Sequence, residues 1–344
     1  MNNDYNEIVD GLLDMQPDPI PYFVLLKEFK GVHPDSVEYQ NAYEKVCEHH
    51  FVKEIAESQN SKGFWPSFHS YTEGVVRKLL WYGLDNNHIC LKRVTEYTVK
   101  LLRNEETHDR FEKQDNIRWW PEMFMPLCVS ATLSSLDNAN ENLKPHRKRW
   151  ADFTEIAFVN GFNHEVISTL QNERSDFFAT IKRPYDHEAY AKAQKEYFGF
   201  KTTRIIQPFN YYSLQLLAPL NGESHLSATA DQALVDYGMN VADHLYYVYG
   251  KNPGELVSLN AQNKEGREFC HWIRALSLIS QFKGWAKYEQ KYVEWILAQR
   301  NQDGFWEFPE KHYWFSLSDS WRGRNRAIDS TIYVLRMLMK KKAY

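Results

Sequence analysis

A short pattern occurs twice in this chain, near its two ends. Gln59-Asn60-Ser61-Lys62-Gly63-Phe64-Trp65 stands early, and Gln299-Arg300-Asn301-Gln302-Asp303-Gly304-Phe305-Trp306 stands late. Each copy follows an amphipathic helical run and precedes another. The shared core, Asn-x-(Lys/Asp)-Gly-Phe-Trp, returns after about 240 residues (299 − 59), which reads as an internal repeat. Helical repeat units bury their apolar faces against their neighbours. Copies at both ends therefore point to a helical array closed into a ring, and so to a central cavity.

Helical periodicity dominates the rest. Tyr288, Tyr292, Trp295, Ile296 and Gln299 share a face, as do Trp272, Leu276, Ile279 and Phe282, and Ile328, Ile332, Leu335 and Met339. Val75, Val76, Leu79 and Leu80 form an earlier stripe, and Leu234, Tyr237, Val241, Leu245 and Val248 a further one. Period-2 alternation is almost absent, so the expectation is an all-α chain with roughly ten to twelve helices and Gly-, Pro-, Asn- and Asp-bearing loops. No low-complexity linker divides it, and residues 1–344 are expected to form one domain. The polar, tyrosine-rich stretch 173–201 is read as a long helix with an irregular approach, or as an excursion over the cavity mouth.

Composition narrows the function classes. A net charge of −4 argues against a general attraction to nucleic acid or anionic membranes. No apolar run approaches the roughly 20 residues of a spanning helix, and the first residues lack the basic start and apolar stretch of a secretion signal. A cytoplasmic protein is expected. The four cysteines, at 47, 90, 128 and 270, form no CxxC pair, which argues against a disulfide or zinc framework. No metal and no cofactor is expected. Oligomeric state is left open. Aromatic content is the outlier: 11 Trp, 21 Tyr and 20 Phe make 15% of the chain. Either a large core or an aromatic-lined cavity for an apolar or cationic guest accounts for it.

Polar–aromatic clusters sit immediately before apolar helices: His69-Ser70-Tyr71-Thr72-Glu73, Arg118-Trp119-Trp120-Pro121-Glu122, Phe209-Asn210-Tyr211-Tyr212, Glu268-Phe269-Cys270-His271-Trp272, and Arg326-Ala327-Ile328-Asp329. Most are spaced roughly 50 residues apart, the length of two helices with their loops. If alternate helices form an inner layer, these clusters gather at one rim, where helix N-termini leave N–H groups free. The repeated Gln-…-Gly-Phe-Trp segments resemble the glutamine–tryptophan motifs of the terpenoid cyclase and protein prenyltransferase superfamily. The match is good at Gln59–Trp65 and Gln299–Trp306 and degenerate at Gln262–Gly266. The resemblance covers these short segments and the general rhythm. It implies an α/α toroid, a double ring of inner and outer helices around a cavity, with Trp65 and Trp306 structural.

The superfamily's catalytic motifs are missing: neither Asp-x-Asp-Asp nor Asp-Asp-x-x-Asp occurs. Glu268-Phe269-Cys270 replaces the zinc-binding Asp-x-Cys, and Asp329 stands where a zinc-binding His is expected. Cys270-His271 resembles the pair of lanthipeptide cyclases without their upstream Trp-Cys-Tyr-Gly; a buried apolar Cys270 is the plainer reading. In Cys47-Glu48-His49-His50, adjacent histidines on a helix would point about 100° apart and seldom share an ion. The richest cluster is Asp319–Arg326 followed by Asp329. Trp65 to Thr72 spans 7 residues, whereas Trp306 to Asp329 spans 23, so extra chain is expected at the ring's mouth. There Arg322, Arg324 and Arg326 would grip an anionic group, unless they form a solvated basic turn paired with nearby acids. Glu73, Glu122, His271 and Asp329 are the acid–base candidates, with His69 and His187 further options. Carboxylates flanked by Trp and Tyr are expected to have raised pKa values. Trp119, Trp120, Tyr211, Tyr212 and Trp272 are the aromatic candidates for substrate contact.

The leading expectation is an enzyme acting on an apolar, isoprenoid-like small molecule, or one with an anionic group, by acid–base cyclisation, elimination or transfer. A carbohydrate-active α/α-barrel hydrolase or lyase is the second reading, and a non-enzymatic binding scaffold the third.

Overall fold

The two Gly-Phe-Trp segments build the same turn atom for atom. In the first, Asn60 N donates to Phe64 O (2.9 Å), Gly63 N to Asn60 O (3.0 Å), and Asn60 Oδ1 accepts from Lys62 N and Phe64 N. In the second, Asn301 N donates to Phe305 O (2.8 Å), Gly304 N to Asn301 O (3.0 Å), and Asn301 Oδ1 accepts from Asp303 N and Phe305 N. Gly63 (φ 94°) and Gly304 (φ 85°) lie where an L side chain is strained, which explains the glycine. Each tryptophan is buried and sends its indole N–H ten residues back: Trp65 to Ile55 O (3.0 Å), Trp306 to Ile296 O (2.7 Å). Each main chain is then clasped by a threonine. Trp65 N donates to Thr72 Oγ1 (3.1 Å), which donates back to Trp65 O (3.2 Å), and Trp306 and Thr331 repeat this at 3.1 and 3.2 Å. The structural counterpart of Thr72 is thus Thr331 rather than Asp329. The glutamines do not correspond: Gln59 Nε2 reaches Gly63 O and Cys90 O, while Gln299 Oε1 accepts from Leu259 N.

The structure, a computed structural model, describes residues 2–106, 119–163, 184–199, 205–219, 222–248, 250–259, 266–310 and 316–340. The Gln262–Gly266 segment falls almost entirely outside them, as does much of 173–201. Among the described residues there are fourteen α-helices and no β-strand. They are α1 (Asn2–Asp14), α2 (Pro19–Val24), α3 (Val37–Glu48), α4 (His50–Glu57), α5 (Glu73–Trp81), α6 (Ile89–Leu102), α7 (Met125–Leu136), α8 (Lys144–Ala157), α9 (His187–Phe198), α10 (Tyr211–Leu217), α11 (Ala228–Asn240), α12 (Gly266–Ile279), α13 (Glu289–Leu297) and α14 (Gly323–Leu338). The count exceeds ten to twelve because tight breaks cut short helices off. One is His49, extended (φ −60°, ψ 136°) between α3 and α4. The stripe from Leu234 to Val248 is likewise interrupted. α11 stops at Asn240, and Tyr247 turns with φ 70°, so that Tyr246 O accepts from Tyr211 N (3.0 Å).

Side-chain caps set several starts: Ser36, Asp186, Asn210 and Ser227 accept from Tyr39, Ala189, Ser213 and Ala230 N–H groups. The α7 and α14 helices are buried on nearly every side, as helices within a core are. The α7 hydroxyls survive burial by bonding back along the helix: Ser130 to Leu127 O, Thr132 to Cys128 O, Ser134 and Ser135 to Ala131 O. α7 packs on α5, α6, α8 and α10, α12 packs on α10 and α14, and α14 also meets α2. From α14, Tyr333 lies edge-on to Trp81 of α5 (5.1 Å), and the buried Arg336 donates to Trp81 O (3.1 Å) while pairing with Glu28.

Candidate functional site

Within the first Trp–Thr clasp the chain makes a wide turn over Phe68–Thr72 before α5 begins. His69 (ψ 138°) and Ser70 (φ 68°, ψ −12°) break its helical path. A serine in the left-handed region is strained by about 1–2 kcal/mol, and such residues persist where the surroundings hold them. Here Ser70 N donates to the carboxylate of Glu73 (3.1 Å), the first residue of α5. The break also sets the His69 ring beside that carboxylate, with Nδ1 3.3 Å from Glu73 Oε1.

Two further helices converge on the same carboxylate. Cys128 of α7 donates its S–H to Glu73 Oε2 (2.8 Å) and lies 3.8 Å from His69 Nδ1. Tyr212 of α10 donates its O–H to Glu73 Oε1 (3.0 Å) and lies 3.2 Å from His69 Nδ1. Aromatic rings wall the cluster. Phe124 stands edge-on to His69 (5.1 Å) and Tyr212 (5.4 Å), Trp120 is edge-on to His69 (5.2 Å), and Trp119 stacks on Phe124 (5.3 Å). One turn further along α5, Arg77 lies over the Tyr211 ring (5.8 Å), as does Arg274 of α12 (4.7 Å). Val76, Thr132 and Ser135 complete a narrow cleft between Glu73 and Tyr211, with space for about one water.

Burial would raise the pKa of Glu73, but the His69 hydrogen bond, the Arg77 charge and the Cys128 hydrogen bond outweigh it and hold it at about 2. Burial, reinforced by the Glu73 charge, pushes the Cys128 thiol well above its usual range. Burial, then Cys128 and Glu73, also raises Tyr212. Burial would lower Arg77, yet Tyr211 and Glu73 keep it raised. The resting site is a carboxylate and a guanidinium, with a thiol and a phenol donating to the carboxylate.

Glu73, Trp119, Trp120, Tyr211 and Tyr212 are therefore brought together. The other residues expected on one rim stand apart. Glu122 is exposed beside a wider hollow that His146 and Arg149 of α8 also line. His271 is half-buried; Trp272 is buried between Phe269 and Tyr292, its indole donating to Pro253 O (2.9 Å). Arg322 and Arg324 are exposed at the start of α14, and Arg326 is bonded to Glu307 and Glu310, the paired arrangement of a basic turn. Asp329 is fully buried. It accepts from Leu317 N (2.9 Å), Ser318 N (3.0 Å), Ser318 Oγ (2.9 Å) and Ser316 Oγ (3.4 Å), fastening the extra chain that precedes α14. Burial raises Asp329 to about 7 against those donors. The raised carboxyl is thus Asp329, and Glu73 is shifted the other way. Residues 311–315 of the extra chain lie outside the described residues.

Cys128, Arg77 and Arg274 belong to none of the polar–aromatic sequence clusters, and His69 is only a further acid–base option there. The legible signal was His69-x-x-x-Glu73, the i, i+4 spacing that faces two side chains to one another.

Among the described residues, two side-chain sets have metal-ligating atoms within 4.8 Å of one another: His69, Glu73 and Cys128, and His49, His50 and Asp319. In the second set, His49 Nε2 lies 2.8 Å and His50 Nδ1 3.9 Å from Asp319 Oδ1. The 100° argument against two adjacent histidines does not apply there. His49 is extended rather than helical, and the two rings stack (4.6 Å). Compared with known protein families, curated proteins and solved structures, the chain matches none.

Proposed function

We propose that the chain is an enzyme of the α/α-toroid type that transforms an apolar small molecule at the Glu73 cluster. The ring reading is supported by the succession of contacts from α5 to α7, α10, α12 and α14, and by the return from α14 to α5 through Tyr333, Arg336 and Trp81. The observation that carries the catalytic reading is the convergence of His69, Cys128 and Tyr212 on one buried carboxylate under a wall of aromatic rings. Burying that carboxylate costs several kcal/mol, and packing alone would be served better by an apolar residue.

The arrangement suits a reaction in which positive charge develops on a hydrocarbon. The carboxylate and the faces of Trp120, Phe124 and Tyr212 would stabilise that charge. The cleft beside Glu73 has space for about one water, so a guest would reach the cluster from the side of His69, whose side chain is 24% exposed. Tyr212 and Cys128 carry protons within reach of the same point, as cyclisation or elimination requires. Arg77 and Arg274 beside Tyr211 would hold an anionic group. A retaining or inverting glycosidase needs two facing carboxylates; among the described residues this cluster contributes one.

The test is to incubate the purified chain with linear isoprenoid alcohols and their diphosphates. Binding is followed by tryptophan fluorescence, products by gas chromatography with mass detection, and co-purifying molecules by native mass spectrometry. Saturable binding and a new product, both lost in Glu73→Gln with the circular dichroism spectrum preserved, are expected. Neither binding nor conversion, with nothing or a sugar co-purifying, would end this reading in favour of a scaffold or a carbohydrate-active protein.

A further inference from the structure

Among the described residues, the His69–Glu73–Cys128 set brings together an imidazole nitrogen, a carboxylate and a thiol from two helices and the turn before one of them. Two nitrogen or oxygen ligands of a tetrahedral zinc-like ion, each about 2.0–2.1 Å from it, stand about 3.4 Å apart; a sulfur ligand at about 2.3 Å stands about 3.6 Å from a nitrogen one. His69 Nδ1 and Glu73 Oε1 are 3.3 Å apart, and Cys128 Sγ and His69 Nδ1 are 3.8 Å apart. These spacings are those of two tetrahedral edges; the third, Cys128 Sγ to Glu73 Oε2, is closed by a 2.8 Å hydrogen bond and would open as the thiol proton gives way to an ion. Glu73 and Cys128 are buried, so the ligands are shielded from competing water, while the partly exposed His69 leaves a way in.

From this geometry we infer that His69 Nδ1, the Glu73 carboxylate and Cys128 Sγ bind a single transition-metal ion of zinc-like preference. Three protein ligands leave a fourth corner, the pattern of a metal site that meets a substrate or water rather than a closed structural one. Tyr212, 3.2 Å from His69 Nδ1, is placed to donate to whatever fills it. Thiolate and imidazole select Zn²⁺, Co²⁺ or Fe²⁺ over Mg²⁺ and Ca²⁺. On binding, the Cys128 S–H bond breaks as the sulfur–metal bond forms, and one proton per ion leaves to solvent. The inference uses the same residues as the proposed enzyme but does not need a substrate, so the two fail separately.

The test is a titration of the full chain, reduced and stripped with chelator, with Co²⁺. Thiolate ligation gives a near-ultraviolet charge-transfer band and intense visible ligand-field bands, saturating at one ion per chain and bleached by Zn²⁺ but not by Mg²⁺. Cys128→Ser should remove the charge-transfer band, and His69→Ala should weaken binding by at least about a hundredfold, beyond the loss typical of residues that only support a ligand. Cys270→Ser and Asp319→Asn should leave the spectrum unchanged, since neither residue belongs to this set. Should Cys128→Ser not fold, the wild-type spectrum still decides. No thiolate band in the wild type, or a band that persists in a folded Cys128→Ser, overturns the site. Metal binding without turnover of any isoprenoid would instead remove only the catalytic reading.

Discussion

Replacing Asp329 with Asn isolates one buried carboxyl whose ionisation should govern how stability varies with pH. The group is fully buried, and burial raises it from an ordinary 3.8 to about 7 although four donors face it. Of the surrounding ionisable groups, Tyr82 is itself raised, by burial and then by Asp329. In the unfolded chain the carboxyl loses its proton near its ordinary value; in the folded chain it keeps it to about 7. The stabilisation from this group is therefore complete below about pH 4, falls as pH rises, and is gone above about pH 7. The gap corresponds to roughly 4 kcal/mol at about 1.4 kcal/mol per pH unit. Urea denaturation of both proteins, followed by tryptophan fluorescence between about pH 4 and about pH 8, gives the difference directly, because other titrations cancel. The wild type should lose roughly 4 kcal/mol relative to Asp329→Asn across that range. A difference independent of pH, or one growing in the wild type's favour, would refute the reasoning, since the four donors would then hold the group ionised.

Three further outcomes follow from the packing. Gly304→Ala should cost about 1 kcal/mol for its positive φ alone, whereas Gly63→Ala should cost clearly more because the new Cβ would lie 2.8 Å from Arg93 O; thermal melts rank the two. Trp306→Ala should cost about 3–5 kcal/mol, and unchanged melting in both Trp65→Ala and Trp306→Ala would contradict the clasp. Arg336→Met should cost about 3–5 kcal/mol by stranding Glu28, with the Arg336→Met/Glu28→Leu double variant recovering most of it in a double-mutant cycle.

The helical character and the repeated turns were legible because they rest on local rules. An Asn that bonds its own following N–H groups, a glycine at positive φ and a stripe every three or four residues are written into neighbouring positions. The inner burial of α7 was not, since its Ser and Thr residues look polar until their hydroxyls are seen bonding their own helix. For the same reason Cys128 passed as one of four scattered cysteines. Its partners are 55 and 59 residues away in sequence, and no spacing rule reaches that far. Asp329 reads in the sequence as a charge near the start of a helix, but its surroundings depend on how residues 316–318 fold back upon it.

The threonine clasp has a consequence for chain length. Trp65 and Thr72 close 7 residues of chain, Trp306 and Thr331 close 25, and the bonds that close them are the same. Loop-closure entropy grows with the logarithm of length, so the longer copy costs only about 1 kcal/mol more. The clasp thus acts as a buckle. Behind it a segment of either length is closed at nearly the same entropic cost. The same pair of bonds holds over either length, so the span between the two grips is the freest dimension of this turn.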